Sequence, residues 1–493
     1  MGAAGPARQL GVRSVLVALL LSISRRKVAH LASAHEICSE LSIPEQIALG
    51  FLRSGDDGLS EATYRQFAHT FAEMVKVMDE SPVPSFRGVA EAERAAHLAE
   101  RRRGAPAGAA DLLRSVVEGL LEASIPESER ERGEIAVDWT DHETWARPKE
   151  ADSPVPSADP DASWGHAKRN APGAKDCGFF GYYAQVAVLA PAEGSTAPSP
   201  ELIRRVVLKS PRHEPASEMA ALLEAMAGGG IPIAEVLYDS GYSFKIGFGQ
   251  RLRALGAELV MDLHPFDRGP KGDFEGAVCL NGNLYCPAVP ERLVELGPLE
   301  RGASAERTAL HDGASQALDA YRFARHAGPD GDGYERVMCP AAAGRIRCPL
   351  VESSLHLGFA HPTVADAPQR PPRCCSQKTL TVPPEINVKT RQKHPYPSAA
   401  HRSSYARRTT AERAYARLCD PAGEGIRRGW CRLFGEAKNT LMYALAAVAH
   451  NVRILLAAEK AARSGRRPRM RRRRHQPPVH TAEPSSPGEP APG

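Results

Sequence analysis

The chain has no Cys-x2-Cys pair, although ten cysteines are spread over its 493 residues. That absence excludes the compact knuckle spacing by which most thiolate zinc sites are read from sequence. A clear export signal is missing too. Residues 12–24 are apolar, but Arg25-Arg26-Lys27 follows directly, and no small-residue cleavage site lies at the end of the run. The run is also too short to cross a bilayer, so a core helix is expected there. Cysteines without a secretory context indicate a reducing compartment. Strong overall charge is the last absence, the net being +5.

What charge there is lies in one place. Between Lys389 and His475, 22 Lys and Arg stand against 5 Asp and Glu, which leaves the rest of the chain at −12. Clustered cations of this kind release counterions from phosphates and mark a nucleic-acid partner. Part of the excess, residues 466–474, belongs to a Pro-rich end expected to be disordered. At this length, with 42% hydrophobic residues, the chain can bury a large core and hold two or three domains.

Periodicity divides the chain. A helical pattern covers residues 31–41, 43–52, 61–78 and 92–121, the last broken at Arg103-Gly-Ala-Pro106, with Ser42 and Ser60 as caps. From 134 to 263, strand patterns at 135–138, 181–189, 203–208, 233–238 and 258–263 alternate with helices at 218–226 and 248–255. Residues 150–175, rich in Pro, Ala and Asp, read as a loop. Three strands, then helix, strand, helix, strand, is the order of a ribonuclease-H-like α/β fold. The apolar run after Lys438-Asn439 is expected to be a buried helix. The expected organisation is an α-helical N-terminal domain over 1–130 and a core over 131–264 and 401–460. A loop-rich, Cys-containing insertion over 265–400 interrupts that core, and a basic tail over 461–493 follows it.

Residues able to do chemistry sit at the ends of these patterns. Asp138 ends the run Glu134-Ile-Ala-Val-Asp138, with Asp141 three residues on, and Asp239 ends Ile233-Ala-Glu-Val-Leu-Tyr-Asp239. Tyr405, Arg408 and Glu412 form a Tyr-x2-Arg-x3-Glu array inside the basic segment. Plainer readings exist for each. Thr409-Thr-Ala-Glu412 is also a helix capping box, and an Asp before Ser-Gly commonly serves a turn.

The array and the segment Asp239-Ser-Gly241-Tyr242 resemble the signature of cut-and-paste bacterial insertion-sequence transposases, which carry a Tyr-Arg-Glu-Lys motif and an Asp-Asp-Glu metal site. Gly435-Glu-Ala-Lys438-Asn439 and the later Asn451 extend the match to about residues 130–456, while Cys419 stands where the family has its Lys. The resemblance implies a ribonuclease-H-like core in which Asp138, Asp239 and Glu412 hold two Mg2+ ions, or Mn2+ in their place, for phosphodiester hydrolysis and strand transfer. It implies double-stranded DNA as partner, both terminal repeats and target, and a homodimer in the synaptic complex. It implies DNA-end binding for the N-terminal domain, a β-rich insertion, no membrane, and a bacterial cytoplasm with the protein at the nucleoid. DNA contacts are implied for Tyr405 and Arg408, with Arg413, Arg417 or Lys438 supplying the cation that Cys419 lacks. The alternatives are a decayed or domesticated copy that binds DNA without cutting, and a nuclease of the same fold that never joins strands.

Six cysteines fall in the insertion, three of them as Cys-Pro at Cys286, Cys339 and Cys348. With Cys374 these are candidate ligands for a structural Zn2+. Reduced, buried cysteines are the plainer reading.

Overall fold

The computed structural model describes residues 10–52, 61–80, 103–148, 157–167, 177–195, 199–300 and 302–464, with 55, 58 and 96 singly. Its centre is a six-stranded mixed sheet in a mixed α/β arrangement. The strands are β1 (Glu134–Glu143), β2 (Ser163–Ala167), β3 (Cys177–Leu189), β4 (Ile203–Lys209), β5 (Glu235–Tyr238) and β6 (Glu258–Met261). They lie in the order β2-β3-β1-β5-β6, with β4 also paired to β3. β3 runs antiparallel to both β1 and β4, whereas β5 joins β1 and β6 joins β5 in parallel. One edge of the long β3 serves two partners, residues 177–181 pairing with β2 and residues 183–188 with β4.

Both faces of the sheet are covered, which explains the near-continuous apolar runs in its strands. Val236 and Tyr238 pack on one face with Met219, Leu223 and Leu252, from the helices Pro215–Gly228 and Phe248–Ala254. Leu237 points to the other face, where Leu441 and Leu445 of the helix Glu436–Ser464 lie. That helix is long and apolar enough to cross a membrane, yet residues 439–451 are buried inside this core. Asn451 ties it to β4: its side chain accepts from the Ile203 N–H and donates to the Ile203 carbonyl, both at 2.8 Å.

The N-terminal helices share this core. Leu19 and Ile23 of the helix Val12–Arg26, and Phe67 and Phe71 of the helix Glu61–Lys76, belong to the same apolar cluster as Leu441 and Val186. The Ala29 N–H donates to the Trp430 carbonyl at 2.9 Å, stitching the region to the C-terminal part. Ser42 forms a capping box with Glu45. Ser60, most of the run from 92 to 102 and the basic tail 466–474 lie outside the described residues.

Two strands depart from the sequence reading. Asp138 does not end its strand, because β1 continues to Glu143 along β3 after its pairing with β5 stops at Ala136. The stretch read as a loop from 150 to 175 contains β2, which adds an edge to β3.

Between β6 and residue 399 the chain builds two small antiparallel sheets. One comprises β7 (Pro270–Phe274), β8 (Ala277–Leu280) and β9 (Asn283–Tyr285); the other comprises β10 (Ala324–Ala327), β11 (Glu335–Met338) and β12 (Thr379–Val382). With the helix Ala305–Ala320 they enclose an apolar cluster of their own, including Tyr285, Leu318, Phe323 and Leu380.

Candidate active site

Parallel pairing brings Asp138 and Asp239 to the same end of the sheet. Residues 134, 135 and 136 of β1 lie opposite 235, 236 and 237 of β5, so continuing that register puts 239 opposite 138. Neighbouring strands lie about 4.8 Å apart. Asp138 accepts from the Trp139 N–H at 2.9 Å and, through its other oxygen, from Arg408 Nη1 at 3.3 Å. Burial lifts its carboxyl to about 7; the Asp239 charge adds to the rise and Arg408 offsets part of it.

Asp239 caps the turn Ser240–Ser243, one oxygen accepting from the N–H of Gly241 at 2.9 Å and of Tyr242 at 3.4 Å. The cap reading therefore holds for that oxygen. Gly241 is needed for close approach, since a Cβ there would lie 2.5 Å from the Trp139 ring. Trp139 in turn meets Tyr242 edge-on at 4.4 Å between centroids, and the Tyr242 hydroxyl donates to Gln185 Oε1 at 3.1 Å. These contacts fix the backbone from which both aspartates project.

Arg408 and Glu412 arrive on one continuous helical run: Ala399–Tyr405, a tight turn Ala406–Arg408, then Thr409–Cys419. Because 408 is already helical, it sits one turn before 412, and the two side chains pair. The capping box does not form. The Thr409 hydroxyl donates to the Ala406 carbonyl at 2.8 Å, and Glu412 turns to Arg408 instead. Only 8% of the Arg408 side chain is exposed, and it bridges Asp138 to Glu412. Tyr415 holds the helix down, its hydroxyl lying 2.9 Å from the Asp138 carbonyl and 2.7 Å from that of Ala184. Arg407 docks the same run on Glu235, at the start of β5.

The remaining sequence candidates divide. Tyr405 joins the site, its ring stacked on His401 at 5.7 Å and beneath the Arg408 guanidinium at 5.5 Å. Burial raises its phenol pKa, Arg408 pulls it back, and Asp262, Asp239 and Glu412 push it up again. Arg413 and Arg417 are held elsewhere, both on Glu201, at 2.9 and 2.6 Å. Lys438 donates to the Phe434 carbonyl at 3.4 Å. Cys419 is exposed at the end of its helix.

Sequence reasoning passed over Tyr415 and a group of aromatics beyond Asp262. Phe244, His264 and Phe266 lie with centroids 4.2 Å apart (Phe244 to His264) and 5.1 Å apart (His264 to Phe266), and Phe266 is 75% exposed. Their only sequence signal is position, just past the ends of β5 and β6. Trp145, 38% exposed, lies under the guanidinium groups of Arg428 and Arg432 at 5.6 and 5.0 Å.

Asp138 and Glu412 share one guanidinium while Asp239 lies near Asp138, and hard carboxylate oxygens suit a divalent cation such as Mg2+. Among the described residues no three His, Cys, Asp or Glu side chains already form a metal-holding group. Arg408 takes the place between Asp138 and Glu412, so a cation entering there must displace it. No protein-family model and no curated protein matches the chain.

Proposed function

We propose that this protein is a DNA transposase of the Asp-Asp-Glu type. It would bind the terminal repeats of an insertion sequence, excise the element and join it to target DNA. The observation that supports the reading is that Asp138 lies near Asp239 at one end of the sheet and is bridged by Arg408 to Glu412, three carboxylates from three separate stretches of chain. Strand order supports it: β4, β3 and β1 antiparallel, then β5 and β6 parallel, is compatible with a ribonuclease-H-like core.

Asp138, Asp239 and Glu412 would hold Mg2+, for which Mn2+ can substitute. Bound there, the metal would lower the pKa of the attacking water or DNA 3′-hydroxyl and stabilise charge on the leaving oxygen. The chain's own groups do the rest. Arg408, released from Glu412, presents its planar fork to a backbone phosphate. Tyr405 lies beside it for a terminal nucleotide, and Phe244 and Phe266 offer ring faces for unpaired bases. Trp145 with Arg428 and Arg432 extends a cationic, aromatic surface for the flanking duplex. No side chain needs to act as nucleophile.

One observation favours a second reading. Cys419 brings no cation to the site, as expected of a decayed copy that binds DNA without cutting. The test is a labelled duplex carrying the flanking terminal repeat, incubated with Mg2+ or Mn2+, and a pre-nicked repeat end offered with target DNA. A transposase cuts at the repeat boundary and yields the joined product, and Glu412→Ala abolishes both. A nuclease cuts without joining, and a decayed copy only binds.

A further inference from the structure

The apolar cluster of the insertion contains an unusual share of sulfur: five of its 19 buried members are cysteines. Five of the insertion's cysteines, from four separate places, belong to this cluster or pack against it. Cys286 follows β9, Cys339 follows β11, Cys348 lies in the next loop, and the Cys374-Cys375 pair sits in the turn Arg373–Ser376. Each is anchored through its backbone by a different part of the module. The Cys286 N–H donates to the Tyr321 carbonyl and that of Cys339 to the Lys378 carbonyl, both at 2.9 Å. The Cys348 N–H donates to Ser354 Oγ at 2.9 Å, and that of Cys374 to the Glu275 carbonyl at 3.1 Å.

The three Cys-Pro segments also share a local geometry. In each, the Cys carbonyl accepts from an N–H three or four residues on: Val289 to Cys286 at 3.0 Å, Ala343 to Cys339 at 2.8 Å, and Val351 to Cys348 at 3.0 Å. Such turns aim the intervening amides at the sulfur. The Ala288 N–H bonds the Cys286 sulfur, and the Ala341 and Ala342 N–H groups bond that of Cys339. Amides aimed at sulfur favour the thiolate, whereas merely buried thiols need none. Burial pushes the Cys286 thiol up, the Ala288 amide pulls it back, and Cys375, Cys339 and Cys348 lie near enough to push it up again. Cys374 and Cys375 have their sulfurs 3.8 Å apart, the Cys374 S–H favouring a thiolate on Cys375. Cys279 stands outside the group, bonded to Asn387.

We propose that Cys286, Cys339, Cys348 and Cys375 bind one structural Zn2+ as a tetrathiolate, with the Cys374 S–H donating to Cys375. Zinc suits four soft sulfur ligands in a closed, tetrahedral, redox-inert site. The sulfurs must turn inward to close on it, because no three of them already form a ligand group. Binding releases thiol protons to solvent and couples the metal to the folding of a module with a small core. The site stands independently of the carboxylate chemistry.

The test is elemental analysis of the full chain, purified under reducing conditions and dialysed against EDTA, alongside the visible spectrum of the cobalt-loaded protein. About one zinc per chain and the intense thiolate-to-cobalt bands of a tetrahedral sulfur site are expected. Cys339→Ser and Cys375→Ser should retain at least roughly tenfold less zinc, while Cys279→Ser and Cys374→Ser keep it. Wild-type protein with negligible zinc and no such cobalt bands overturns the proposal, even where a variant fails to fold. So does bound iron with visible absorption, or zinc retained by Cys375→Ser and lost by Cys374→Ser.

Discussion

The carboxylate site and the cysteine module both crowd like charges, and they handle them in opposite ways. Around Asp138 the protein supplies its own cation, Arg408, which bridges to Glu412. Around Cys286 and Cys339 it supplies only backbone N–H groups. The difference separates folding from function. On the proposed readings, the guanidinium site folds without metal and exchanges that guanidinium to work, whereas the thiolate site couples metal to the folding of its module.

The largest effect should come from Glu412→Gln. Removing one charged ligand while keeping its shape should lower repeat cleavage by roughly 1,000-fold, with little change in melting temperature, because Glu412 lies at the exposed side of the pair. Asp239 sharpens the point. Asn keeps the cap and Ala does not, so both substitutions should lower cleavage by a similar factor while only Asp239→Ala also costs about 1 kcal/mol of stability.

Asp138 should show the opposite balance. Its folded carboxyl, near 7, lies above the ordinary 3.8, so the folded state prefers the proton. That preference stabilises below about pH 4, fades as pH rises, and is gone above about pH 7. In chelator at pH 8, Asp138→Asn should therefore stabilise the protein by up to roughly 4 kcal/mol in urea unfolding, with almost no gain at pH 3.5. Equal gains at both pH values would falsify the buried-charge account.

Arg408→Ala leaves Asp138 and Glu412 facing each other. A loss of about 2 kcal/mol is expected in chelator at pH 8, recovered on adding Mg2+. Phe266→Ala should do least. The ring is exposed and meets only the rings of His264 and Phe244, so melting should hardly change, while affinity for a frayed repeat end should fall roughly tenfold, as for one lost base stack.

Much of the core was legible because β3 to β6 are covered on both faces and announce themselves as apolar runs. β2 was not, since Trp164-Gly-His is short and lies in a Pro- and Ala-rich stretch. The far half of β1 was hidden for a related reason. After Trp139 its residues turn polar and, His142 apart, are half-buried or exposed, although their pairing with β3 continues. Asp138 and Asp239 were found because each follows an apolar run. That they face each other depends on a parallel register between residues a hundred positions apart, which composition cannot show. Arg413 and Arg417 looked like free cations because Glu201 lies more than 200 residues away. The cysteines looked dispersed for the same reason, their spacing along the chain being too wide for any local motif.

The most direct test of the account is a Mn2+ titration followed by electron paramagnetic resonance, on the wild type and on Asp138→Asn, Asp239→Asn, Glu412→Gln and Arg408→Ala. One shared site predicts that each of the three acid substitutions weakens Mn2+ binding by roughly tenfold or more, and that Arg408→Ala tightens it by removing the competing cation. Mn2+ affinity unchanged by the acid substitutions, or weakened by Arg408→Ala, would contradict it.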